Sequence, residues 1–133
     1  MLKPHRPRCS CGAWRAEIAA DSAYISETFV DSGAHFIALD FTNVIEAHGN
    51  LMTLADQVRR AVAWVHQNAA SFGGNPNRLY VSGVSSGGHL AGVVLTTDWQ
   101  KDFGLPADTL KGRLCGSGLY ELHPVALRGA ATT

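Results

Sequence analysis

At 133 residues and 46% hydrophobic, the chain is sized for one domain with a packed core. Eleven basic residues cancel eleven acidic ones, which leaves no global field to draw nucleic acid or an anionic membrane. No apolar run approaches the roughly 18–20 residues of a bilayer span.

Residues 1–14 carry Lys3, Arg6 and Arg8 but also Pro4 and Pro7 and no apolar stretch, so no secretory signal is expected and the chain reads as cytoplasmic. Cys9, Cys11 and Cys115 are an odd set without zinc-ligand spacing and read as free thiols; no metal or cofactor is expected. Asp21-Ser22 can cap a helix over residues 23–30 that ends before Gly33, predicted to lie on the surface over a sheet. Residues 35–41, His-Phe-Ile-Ala-Leu-Asp-Phe, form a short apolar run expected to be a buried parallel strand. After Asn50, the spacing of Leu51, Leu54, Val58, Ala61, Val62 and Val65 predicts an amphipathic helix. Its polar face, with Asp56, Gln57, Arg59 and Arg60, is expected to be solvated. Gly73-Gly74-Asn75-Pro76-Asn77 stops it.

Residues 78–82 read as a strand and residues 89–95 as a helix, and between them stands Gly83-Val84-Ser85-Ser86-Gly87-Gly88. A glycine-flanked serine between strand and helix is the pattern of a nucleophile elbow, a strained turn that thrusts one hydroxyl forward. Ser85 is the candidate nucleophile, and Gly83 and Gly87, two residues to either side, are expected to be small to avoid collision. Residues 96–106 read as loop, residues 107–110 as a short helical turn, and residues 112–116 as another strand. The loop leaving that strand is 116–120, and the end of the chain from 127 is expected to be mobile. Alternating strands and helices with right-handed crossovers predict an α/β fold, with a parallel sheet of about three to four strands and helices on both faces.

These residues resemble the α/β-hydrolase fold, specifically the esterase and lipase-like branch that includes kynurenine formamidase. The carriers are Gly12-Ala13-Trp14-Arg15, the 36–41 segment, Phe72-Gly73-Gly74-Asn75-Pro76, the elbow with His89-Leu90, Thr97-Asp98-Trp99 and Ser117-Gly118-Leu119-Tyr120. The resemblance covers residues 12–125 as the central part of such a domain, with 1–11 an unmatched basic segment and 126–133 a tail. It implies a serine hydrolase of carboxylic esters or N-formyl and aryl amides, working through an acyl-serine. The oxyanion hole would be the backbone N–H groups of Gly12, Ala13 and Ser86. Trp14 would line a pocket or simply pack.

Ser10 and Cys11 stand where the family has histidine and glycine. The family's later acid and base find no match: Asp98, Asp102, Asp108 and His123 precede the strands that would bear them, and His89 reads as a satisfied, semi-buried histidine. The chain therefore reads as the middle of a hydrolase, a truncated or frame-disturbed product with little or no turnover. The implied partner is a small-molecule ester or formamide, and exposed sheet edges would favour self-association. Two other readings are a non-catalytic remnant and a nucleotide-binding module. The latter lacks both the G-x-x-x-x-G-K-[ST] loop and the full G-x-G-x-x-G fingerprint.

Overall fold

The computed structural model describes Trp14 and residues 19–124. Its centre is a parallel pair of strands, β1 (Tyr80–Val84) and β2 (Gly112–Gly116), in the register Tyr80↔Gly112 through Val84↔Gly116. Before them come helix α1 (Ser26–Asp31), preceded by a 3-10 stretch Ala19–Ile25, and helix α2 (Leu51–Asn68). Helix α3 (Ser86–Leu95) and the short α4 (Trp99–Phe103) lie between the strands. A parallel pair needs a crossover, and α3 and α4 supply it.

Helix α2 starts at Asn50, whose side chain accepts from the Met52 amide at 3.0 Å and satisfies one of the helix's open donors. The predicted apolar stripe is the face that packs, burying Leu54, Ala55, Val58, Val62, Ala63 and Val65. A 3-10 turn, Ala69–Phe72, then ends at Gly73, in left-handed backbone with φ 81°. The core lies where α2 meets α3, built from Leu54, Val58, Val62, Leu90 and Val94, with Trp14, Trp99 and Leu105 around it. Leu54, Leu90 and Val94 are fully buried, each worth roughly 1.5–3 kcal/mol in removed apolar surface.

Several expectations are corrected. Among the described residues the sheet has two strands rather than three to four. Residues 34–43 form no regular element and join no ladder. Their groups bond locally instead: Ala34 N–H to Phe29, the His35 ring to the Phe72 carbonyl, and Thr42 N–H to Gln57 Oε1. Leu39 and Phe41 still pack on the core, so the apolar run is used, without pairing.

Among the described residues, helices do not cover both faces. Helix α3 packs on the face of Val81, Gly83 and Cys115, while Tyr80, Val84 and Leu114 on the opposite face are 62%, 66% and 68% exposed. Helix α1 is not a cover over the sheet: it starts at Ser26, its N-cap position is Ile25 with no side-chain cap, and it buries nothing.

The stretch expected to be loop contains α4, which Asp98 caps by accepting from Lys101 N–H at 3.0 Å. Residues 107–110 make a turn but no helix, closed by Thr109 N–H on the Pro106 carbonyl at 3.0 Å. Arg59 is not simply solvated: it pairs with Asp102 and lies 5.4 Å from the Phe103 ring centre, tying α2 to α4. Expectations on Gly12, Ala13, Cys9, Cys11 and the tail from 125 lie outside the described residues.

Candidate active site

Ser85 follows the last residue of β1 and precedes the first of α3, with φ 55° and ψ −117°. That backbone is unfavourable for a residue with a Cβ, so the surroundings must hold it. Two bonds do: Ser85 N–H donates to the Gly116 carbonyl of β2 at 2.8 Å, and its carbonyl accepts from His89 N–H at 3.1 Å. The turn is thus tied to the neighbouring strand on one side and to its own helix on the other. The Ser85 hydroxyl makes no capping bond, although a serine at a helix N-terminus ordinarily spends its oxygen that way.

The glycines around it divide into two kinds. A Cβ on Gly83 would overlap the Gly87 carbonyl, so the sharp return of chain from strand to helix requires glycine there. Gly87 is different from expectation: a Cβ there meets nothing within 4 Å, so its small size avoids no clash. The second crowded position is Gly88, whose Cβ would stand 2.7 Å from the Gly116 carbonyl and 3.1 Å from Gly118. A Gly-Gly pair in the sequence holds this signal, but only the approach of β2 tells which glycine needs it.

Ser86, Gly87 and Gly88 open α3, and the first N–H groups of a helix have no partner within it. They concentrate positive potential at the turn that presents Ser85, where a developing oxyanion would be stabilised. Trp14, placed beside this helix, is 6% exposed and belongs to the core, with φ 64° and its carbonyl accepting from Val44 N–H at 2.8 Å. Its indole meets the His89 ring edge-on, centres 5.4 Å apart.

His89 is buried, at 8% exposed, but it is not the satisfied histidine expected: among the described residues its Nδ1 has no hydrogen-bond partner, and neither has Trp14 Nε1. Burial pushes the imidazole below its ordinary value of 6.5, favouring the neutral ring. The aspartates that follow Ser85 are engaged elsewhere. Asp98 caps α4, Asp102 pairs with Arg59 and Asp108 with Lys111. Tyr120, in the loop that leaves β2, closes the far side by donating its hydroxyl to the Gly88 carbonyl at 3.1 Å. Cys115 is a half-buried free thiol on β2. Among the described residues no cluster of His, Cys, Asp and Glu could hold a metal ion, and no helix is long and apolar enough to cross a membrane.

Known proteins match this chain in sequence. The BD-FAE family, which is α/β-hydrolase-like, matches residues 10–112. Kynurenine formamidase of Danio rerio is 33% identical over 114 residues, covering 86% of this chain and 36% of that protein, and the Salmo salar protein of that name is 32% identical over the same shares. A probable isoprenylcysteine alpha-carbonyl methylesterase of Oryza sativa subsp. japonica is 28% identical over 77% of this chain and 24% of its own length. The chain spans about a third of the length of the formamidases it matches. No solved structure matches the chain significantly. Since the family match runs from before Trp14 through the Ser85 turn to the start of β2, this chain belongs to the α/β-hydrolase-like BD-FAE family, with an esterase and formamidase kinship.

Proposed function

We propose that this chain carries the nucleophile-bearing part of a serine hydrolase acting on carboxylic esters or N-formyl and aryl amides, with Ser85 as the nucleophile. The observation that carries the reading is the Ser85 backbone, held at φ 55° between β1 and α3 with its hydroxyl left out of capping. Ser85 Oγ attacks the substrate carbonyl, and the C–O or C–N bond to the leaving group breaks as an acyl-serine forms. Water then releases the acid. The Ser86 N–H at the open end of α3 stabilises the oxyanion, with Gly12 and Ala13 as the further donors that the family pattern suggests. Relatives named as a formamidase and a methylesterase support the substrate class.

Among the described residues Asp98, Asp102 and Asp108 serve caps and ion pairs, so none of these aspartates is free to act as the acid of a triad. The 133-residue chain by itself therefore turns over little, at best the roughly 10³–10⁴-fold over water that oxyanion binding provides without a triad. The test is p-nitrophenyl acetate hydrolysis by the chain and by Ser85→Ala. Residual acylation and turnover are expected to disappear in the variant, and equal activity in both proteins rules Ser85 out.

A second reading, association between copies, is favoured by the bare sheet face of Tyr80, Val84 and Leu114. Light scattering on the purified chain should then show species larger than one chain, and a stable monomer would refute it.

A further inference from the structure

Ser85 is not the only serine at this end of the sheet with positive φ. Ser117 has φ 51°. The register makes the two counterparts: Val84 pairs with Gly116 as the last rung, and each serine is the next residue along its strand. The Ser85 N–H bond to the Gly116 carbonyl joins them across that rung. Parallel neighbours run about 4.8 Å apart, so Ser117 starts its loop roughly one strand width from Ser85.

Glycines stand on both sides of Ser117, yet the left-handed conformation falls on the serine, where a Cβ makes it less favourable. The surroundings hold that loop still. Gly88 touches Gly116 and Gly118 without room for a Cβ, and a Cβ on Gly118 would overlap the Tyr120 hydroxyl, which is itself bonded to Gly88. The Ser117 side chain is exposed and has no hydrogen-bond partner among the described residues. A rigidly presented, unspent hydroxyl beside the proposed nucleophile is suited to a ligand atom rather than to the fold.

We propose that Ser117 is a specificity-determining residue whose hydroxyl hydrogen-bonds a polar substituent one carbon away from the carbonyl that Ser85 attacks. The inference rests on the hydrolase reading above. It selects acyl groups with an oxygen or nitrogen at that position, such as alkoxyacetyl or acylaminoacyl groups. A hydrocarbon there would cover the hydroxyl without offering it a partner.

The experiment compares p-nitrophenyl methoxyacetate with p-nitrophenyl butyrate, whose acyl groups have the same number of heavy atoms and the same leaving group. Single-turnover release of p-nitrophenolate is measured on the whole chain, with acyl-Ser85 identified by peptide mass spectrometry. Each rate is divided by the ester's rate with hydroxide, which removes intrinsic reactivity. Ser117→Gly keeps the backbone comfortable at positive φ and removes the hydroxymethyl group, while Ser117→Asn, which tolerates positive φ, keeps a hydrogen-bond donor. The corrected methoxyacetate preference is expected to fall about 5-fold in Ser117→Gly and to stay within about 2-fold in Ser117→Asn. A preference unchanged in Ser117→Gly, with acylation still dependent on Ser85, overturns this inference alone. Wild-type chain without acyl-Ser85, or equal ester cleavage by Ser85→Ala, overturns the nucleophile reading and this inference with it.

Discussion

The turn from β1 through α3 to β2 and the segment from residue 19 to 41 are both rich in apolar side chains, but they are held in opposite ways. At the turn, glycines leave no space: Gly83 lies on the Gly87 carbonyl, and Gly88 on Gly116 and Gly118. In the earlier segment, α1 buries nothing, and Tyr24, Phe29, Val30 and Ile37 are 73%, 47%, 56% and 43% exposed. Its contacts are light, such as the Phe29–Phe36 stack at 5.7 Å. Precision in this molecule is concentrated where the chain must pass close to itself, and that is where a strained serine can be maintained.

Substitutions can break this contrast, and the largest effect is expected at Gly83. Gly83→Ala should cost about 3 kcal/mol or more, because the overlap is with backbone rather than with a side chain that can rotate away. Urea denaturation measures it, and a loss near zero would mean that the turn is not close-packed. Next, Leu54→Ala, which empties a fully buried site between α2 and α3, should cost roughly 2–5 kcal/mol. Val30→Ala on exposed α1 should cost below about 0.5 kcal/mol. Equal losses for the two would erase the distinction between the regions.

The smallest expected effect sharpens the picture of the turn's base. Burial favours neutral His89, so its pKa in the folded chain lies below the unfolded value. The unfolded chain then binds more protons as pH falls through about 6.5 and below. Stability contributed by His89 is present above that value and is lost on acidification until the folded pKa is reached. The drop in urea midpoint from about pH 8 to about pH 5 should therefore be smaller in His89→Gln than in the wild-type chain. An identical drop would show that His89 titrates alike in both states.

Much of this was legible in local pattern. The steps of three and four after Asn50 marked α2 and its buried face, because helical periodicity is written in adjacent residues. The strand-to-helix turn at Ser85 was readable because strand, serine and glycines follow one another without interruption. Helix α4 was not, since the five residues Trp99–Phe103 are too few to display a period, and its hold comes from the Asp98 cap and from Arg59, 43 residues away from Asp102. The run 35–41 has the composition of a buried strand, but a strand exists only when a neighbour completes its hydrogen bonds, and among the described residues none does.

By itself, the order of residues determined where α2 begins, which of its faces is apolar and which serine stands at the turn, since these depend on neighbours within a few positions. Only the tertiary structure decided that Gly88 rather than Gly87 is the crowded glycine and that His89 is buried against Trp14. It also decided that Ser117 stands opposite Ser85. Each depends on β2, Trp14 or Tyr120 arriving from distant parts of the chain, and close approach between distant segments is not encoded in any local spacing.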